Sequence, residues 1–385
     1  MSAAGKHSQP YPWEQVEFGH KIYRRTKSEM SSNKLPGVEY EDINSGQGTL
    51  NKDITKKSIR KRGIFFQPFD VLFGKLRPYL KNWLYPNFKG VAVGDFWVLY
   101  SKLLEPSFIY GMIQTQKFQN VANLSSGSKM PRSDWKLVSR TLFRFPMNKN
   151  EQRKIGLLLL NLDKTITLHE EQHRQLERLK KALLQKMFAD KTGYPALRFK
   201  GFTEKWEQEK LGNIIRQSSL KNNNYNYPIL TSAHEGLVPQ STHFGSQQRH
   251  DTSDYNVIKP NQITYRNRSD DGRFTFNINK LNITGLVSKF YPVFSFENTD
   301  NDFMVNNLNH NPQIKYDLDV LSVGTGQHVL SFTNLKKYEI LAPSYVEQKR
   351  IGQLLLQLNR TITLHDKKIQ YLKQLKRGLL QKMFV

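Results

Sequence analysis

The 385-residue chain contains no cysteine. That excludes a disulfide scaffold, a thiol nucleophile and every cysteine-ligated zinc site, and it fits a reducing compartment. Nowhere is there an uncharged apolar run of about 18 residues, the length a membrane span requires. The opening Met1-Ser2-Ala3-Ala4-Gly5-Lys6-His7 lacks an apolar signal core, so a cytoplasmic chain is expected. Three enzyme signatures are missing too: a P-loop, a Gly-rich dinucleotide turn after a strand, and a nucleophile elbow. Gly324-Thr325-Gly326 is too short to count as one of them. No catalytic residue and no cofactor is expected in this chain.

Acidic residues are scarce relative to basic ones, 33 against 58, which leaves a formal charge of +25. Such an excess favours a polyanionic partner, because neutralising phosphates releases their counterions. The charge is uneven: +13 over residues 1–149, +3 over 150–192, +2 over 193–345 and +7 over 346–385. The first part is therefore the basic one, while the third carries acids such as Asp270, Asp271, Asp300 and Asp302.

What the chain does have is a copy of itself. Residues 151–188 return as 347–384 with 22 of 38 positions identical, from Glu151-Gln152 and Glu347-Gln348 to Leu-Leu-Gln-Lys-Met-Phe at both ends. Fainter landmarks keep the same order. Trp13-Glu14-Gln15 recurs as Trp206-Glu207-Gln208, Lys89-Gly90-Val91 as Thr284-Gly285-Leu286, and Ser126-Gly127-Ser128 as Val323-Gly324-Thr325. The period is too long for a solenoid unit. It predicts two tandem modules: a domain over 1–149 with a helix and linker over 150–192, then a domain over 193–345 with a helix over 346–385. Between landmarks the halves share little, which suggests two sites of one kind that recognise different things.

Both helices carry a heptad seam. The first reads Ile155, Leu159, Leu162, Ile166, His169, His173, Leu176, Lys180, Leu183, Met187; the second reads Ile351, Leu355, Leu358, Ile362, His365, Ile369, Leu372, Lys376, Leu379, Met383. A 3.5-residue repeat of this length needs another helix over its seam, and each copy is the obvious partner of the other. An antiparallel pair would place the two domains at opposite ends of a rod of roughly 55 Å and approximate an internal two-fold axis. Intermolecular pairing, or packing of the helices on the domains, is the alternative. His169-Glu170-Glu171-Gln172-His173 matches the pattern of zinc proteases. The duplicate supplies a control: it reads His365-Asp366-Lys367-Lys368-Ile369, so His173 is a polar variant of a seam position and no metal site is expected.

The domains are rich in aromatic, β-branched, Asn and Gly residues with short apolar runs such as Asp70–Phe73 and Val91–Tyr100, which predicts mixed α/β domains, an α+β chain overall. Lys75, Arg77 and Tyr79 place cations and a ring beside a turn, suited to phosphate; Tyr265, Arg266 and Arg268 are their counterparts, with Arg273 nearby. A solvated basic edge is the plainer reading. Ser128, Lys129 and Arg132 in one Gly loop and Thr325, Gln327 and His328 in the other are candidates for reading bases, or simply ordinary turns. Lys52, Lys56, Lys57, Arg60, Lys61 and Arg62 form a third basic stretch, expected to grip backbone.

With these parts in order, the chain resembles the specificity subunit of type I restriction-modification systems over nearly its full length. The resemblance rests on the two Glu-Gln helix openings, the repeated Leu-Leu-Gln-Lys-Met-Phe, the lead-in Leu197-Arg198-Phe199-Lys200-Gly201-Phe202 before Trp206-Glu207, and Leu72–Leu80. It implies two target-recognition domains that each read half of a split DNA site, paired helices that fix the gap, and two methyltransferase subunits with translocating nuclease subunits around them. Adenine methylation and restriction, with S-adenosylmethionine, ATP and Mg2+, would belong to those partners. Pro10-Tyr11-Pro12 stands where the first half should carry the Arg-Phe-x-Gly-Phe lead-in, which implies a shortened or recombined start. A coiled-coil adaptor displaying two protein-binding domains is the rival reading.

Overall fold

A computed structural model describes residues 13–57, 59–124, 130–223, 226–233, 236–245, 251–324 and 326–384. The chain forms two compact units that do not follow chain order. One comprises Met1–Gln172 with His365–Val385, and the other His173–Leu364. Each takes one mixed α/β domain and a part of two long helices, Lys149–Lys186 and Tyr345–Met383.

In the first unit, Trp13–Glu17 pairs antiparallel with Leu142–Pro146, so the domain is closed where its chain enters and leaves. Tyr23–Arg24, Phe96–Tyr100, Val71–Gly74 and Trp83–Leu84 form a four-stranded antiparallel sheet in that order. Val71–Gly74 is buried along its whole length, which is why it reads as an unbroken apolar run and not as an alternation. A second sheet orders Ser28–Met30, Arg62–Phe66, Gly90–Ala92 and Gly37–Val38. Rings fill the space between sheet and helices: Phe73 meets Phe118 edge-on at 5.2 Å, and Phe18 lies 5.4 Å from both Phe118 and Phe143. Edge-on packing of this kind adds stabilisation beyond the apolar area removed from water.

The second unit repeats the plan. Glu207–Lys210 pairs with Glu339–Ala342, and Ile215–Ser218, Val293–Phe296, Ile263–Tyr265 and Phe276–Ile278 form its main sheet in the corresponding order. A hairpin of Leu230–Ala233 and Gly236–Pro239 is added here.

The seam positions face inward. From Ile155 to Met187 and from Ile351 to Met383 every one is buried or half-buried, while most residues flanking them are exposed. Within the first unit the helices meet in reverse order: Asp163 with Lys376, then Glu170 with Lys373 at 2.6 Å and His169 with His365 at 3.2 Å between Nδ1 atoms. Leu162 and Ile166 cluster with Leu372 and Leu379. Within the second unit, the end of the first helix (Leu183, Leu184) and Met187 just after it share a core with the start of the second (Ile351, Leu354, Leu355). Glu170, the base of the protease-like pattern, is held by Lys373 and by Gln47 at 2.9 Å.

The duplicated Glu-Gln explains how each helix is fixed to its domain. Gln152 is buried; its Nε2 donates to the Pro146 carbonyl at 2.7 Å and its Oε1 accepts from the Glu105 amide at 2.9 Å. Gln348 does the same with Pro343 at 2.8 Å and Asp300 at 3.0 Å. One amide side chain thus ties the last strand of the domain to the first turn of a domain helix, satisfying backbone groups that burial would otherwise strand. The glycine four residues on allows the close approach. A Cβ at Gly156 would stand 2.3 Å from Ser107 Oγ, and one at Gly352 would stand 2.3 Å from Asp300 Oδ1.

Candidate nucleic-acid interface

In the first unit two segments far apart in sequence are stitched together by their backbones. Arg77 N donates to the Pro131 carbonyl at 2.7 Å, Ser133 N donates to the Lys75 carbonyl at 2.8 Å, and Leu76 bridges Arg132. Arg77 holds a left-handed conformation with φ 49°, which turns the chain tightly into Pro78–Leu80. Tyr40 supports this turn from beneath. Its phenol oxygen accepts from Leu76 N at 3.2 Å and donates to the Asp95 carbonyl, and burial pushes its pKa up to about 12, so it remains a donor.

Lys75, Arg77, Tyr79 and Arg132 therefore share one surface, with Tyr79 54% exposed. Asp95 sits between two of the cations, 3.3 Å from Lys75 and 3.1 Å from Arg132, and fixes where they point. Ser128 and Lys129 lie outside the described residues. Beside this surface, Tyr79 and Lys81 border a groove of about 470 Å³ whose other wall is Gln116, Gln119, Asn120 and Asn123. Gln116 and Asn120 are exposed, one turn apart on the helix Gln116–Ala122, with Gln116 Nε2 donating to Asn120 Oδ1 at 2.6 Å. Amide side chains can pair with a base edge, adenine above all. The sequence reading missed these residues, although Gln and Asn at i and i+4, beside Gln119 in the same short segment, is a signal it could have used.

The third basic stretch is arranged differently from a free cationic edge. Lys57 donates to Glu39 at 3.0 Å and Asp42 at 2.5 Å, Lys61 to Glu39 at 2.6 Å, Lys52 bridges Asp42 at 3.0 Å, and Lys56 lies 3.8 Å from Asp53. Asp42 is fully buried, and despite that burial its pKa is lowered by the lysines and the Glu39 amide. Lys57 thus holds a loop together. Arg60 and Arg62 are exposed.

The second unit builds the corresponding surface with other residues. Arg268–Ser269 pairs with His328–Val329, joining the segment after the strand to the Gly loop as in the first unit. Arg266 and Arg268 are exposed, the Arg268 guanidinium lies 4.8 Å from the Phe290 ring, and Gln327 Nε2 reaches Asp270 at 3.4 Å. His328 Nδ1 is 2.8 Å from Asp319 Oδ1, and exposed Arg273 lies 3.7 Å from Asp271. Thr325 lies outside the described residues. Tyr265 corrects the sequence reading: it is 0% exposed, its hydroxyl donates to the Leu330 carbonyl at 3.0 Å, and its ring packs on Phe276. The strand Ile263–Tyr265 is buried on both faces, so this ring belongs to the core and not to the exposed basic edge.

Comparison with protein families matches residues 181–374 to the type I restriction modification DNA specificity domain. The chain belongs to this family. Among solved structures, the type I restriction-modification S subunit from M. genitalium is similar at 14% identity, covering 99% of this chain and 98% of that one with a TM-score of 0.60, a likeness of fold. The HsdS subunit from Thermoanaerobacter tengcongensis aligns over 99% of this chain and 98% of that one at 18% identity and a TM-score of 0.47. The joined loops of the two units share a duplicated frame and differ in their side chains. No helix among the described residues is long and apolar enough to cross a membrane.

Proposed function

We propose that this chain is the DNA-recognition subunit of a type I restriction-modification complex, in which each α/β domain reads one half of a bipartite site. The observation that carries this reading is the pair of stitched surfaces, alike in backbone and unlike in side chains: Lys75, Arg77, Tyr79 and Arg132 in one unit, Arg266, Arg268, Gln327 and His328 in the other. The arginines and lysines hold phosphates, and the amides of Gln116, Asn120 and Gln327 reach base edges. The two long helices run antiparallel as an intramolecular coiled coil, a spacer that relates the domains by a pseudo-two-fold axis and sets the gap between half-sites. Reverse-order contacts in the first unit support that direction.

Two readers on one spacer bind more tightly than either alone, without new contacts. The duplicated exposed helix faces dock two methyltransferase subunits, through which translocating nuclease subunits join. Methyl transfer and restriction, with S-adenosylmethionine, ATP and Mg2+, reside in those partners; this chain supplies no catalytic group. Exchange of residues 1–149 for another recognition domain tests the reading, with the methylated sequence as readout. One half-site should change and the other persist; a change in both would refute modular reading.

A further inference from the structure

The duplicated helix openings are dressed differently. In the second unit the segment 197–202 lies across the start of the second long helix. Arg198 grips the fully buried Glu347 with two guanidinium nitrogens at 2.7 Å each. Phe199 packs on the core that contains Ile351 and Leu354, and the Phe202 ring lies 5.2 Å from the Arg350 guanidinium. Gly201, at φ 97°, makes the turn between the two rings.

At the start of the first long helix the same positions are Glu151, Lys154, Ile155 and Leu158. There, among the described residues, they line a groove of about 550 Å³ together with Trp13, Arg144, Lys382 and Met383. Leu158 is 42% exposed, whereas its counterpart Leu354 is half-buried. Glu151 Oε1 accepts from the Trp13 indole at 3.0 Å, but its Oε2 is buried with no hydrogen-bond partner among the described residues. A desolvated carboxylate oxygen without a donor is costly, and in the duplicate a guanidinium supplies that donor. Aligning Trp13 with Trp206 puts Ala4-Gly5-Lys6-His7-Ser8-Gln9 opposite the lead-in Leu197–Phe202, and those six residues include neither the arginine nor the two rings.

We propose that the Glu151 groove is a docking site for an arginine–aromatic peptide segment of another polypeptide, of the form Leu-Arg-Phe-x-Gly-Phe. The arginine pairs with Glu151, the first ring covers Ile155 and Leu158, and the second lies against Lys154. The occupant's chemistry follows from the second unit, where the same framework holds such a segment in place. This site is independent of DNA recognition.

The direct test titrates a labelled peptide of residues 195–203 into the full-length protein and follows its anisotropy. Saturable one-to-one binding is expected, weakened roughly tenfold or more by Glu151→Gln or by replacing the peptide arginine with alanine, the loss a charge-assisted hydrogen bond entails. Glutamine keeps the acceptor for Trp13, so that variant should fold. Absence of saturable binding, or binding indifferent to Glu151→Gln, would overturn the proposal. Binding that appears only in a Lys6→Ala background would overturn it too, by assigning the slot to the chain's own leader. In a second measurement, Gly5→Arg, Lys6→Phe and Gln9→Phe are combined in the full chain. The melting temperature should rise, peptide binding should disappear, and Glu151→Gln should cancel the rise; an unchanged melting temperature would contradict the proposal.

Discussion

Single side chains decide how each domain is joined to its helix. Gln152 and Gln348 each spend both ends of a buried amide on backbone groups. Truncation to alanine strands a carbonyl and an N–H, so Gln152→Ala or Gln348→Ala should each cost about 1–3 kcal/mol in a denaturant titration; an unchanged midpoint would remove the clamp from the explanation. Lys376 poses a sharper case. It lies in the seam bonded to Asp163 and to Gln114 Oε1 at 2.5 Å, and burial raises the Asp163 pKa while Lys376 counteracts it. Lys376→Met leaves that carboxylate buried and unpaired, at an expected cost of about 3–5 kcal/mol. The lysine was visible in the heptads as an exception, but its partner was not, because Asp163 falls just off the seam and its counterpart in the duplicate is Asn359. Tyr265 shows the opposite failure. Beside Arg266 and Arg268 it looks like part of a basic edge, and only the pairing of its strand on both sides reveals it as core.

At the scale of elements, the two helices were the most legible feature, since an apolar period of 3.5 written twice specifies a seam without tertiary information. The strand Val71–Gly74 was legible as a run but not in register, and Ile263–Tyr265 was not read as a strand at all: both are buried on both faces and carry no alternation from which pairing could be read. The stitched loops were named separately in each half, and nothing local in sequence announces that residues 75–77 meet 131–133. His169, beside His365, is expected to make the stability of the paired helices depend on pH. Burial, then His365, then Lys368 lower the pKa of His169 from 6.5, so the folded chain binds this proton less readily than the unfolded chain. Its stability contribution is therefore intact above that value and declines as pH falls through it toward the lower folded pKa. The melting temperature should drop between about pH 7.5 and 5.5, and His169→Leu with His365→Leu should flatten that drop; an equal slope in the double variant would place the titration elsewhere.

For the whole molecule, the charge and the duplication together determine what to expect in solution. If a chain of +25 binds DNA through phosphates as proposed, it should lose affinity steeply as salt rises, with a log–log slope of about −0.9 for each phosphate neutralised. A flat response between low and physiological salt would argue against DNA as the ligand. The +13 over residues 1–149 against +2 over 193–345 predicts that variants of Arg77 and Arg132 reduce that slope more than variants of Arg266 and Arg268. The measurement that bears most directly on the proposal of two unlike readers sharing one spacer is the methylation pattern of a host genome with this chain present and absent. A split motif, two short half-sites at one constant separation, should appear only in its presence. A single continuous motif, a variable separation, or an unchanged pattern would contradict it.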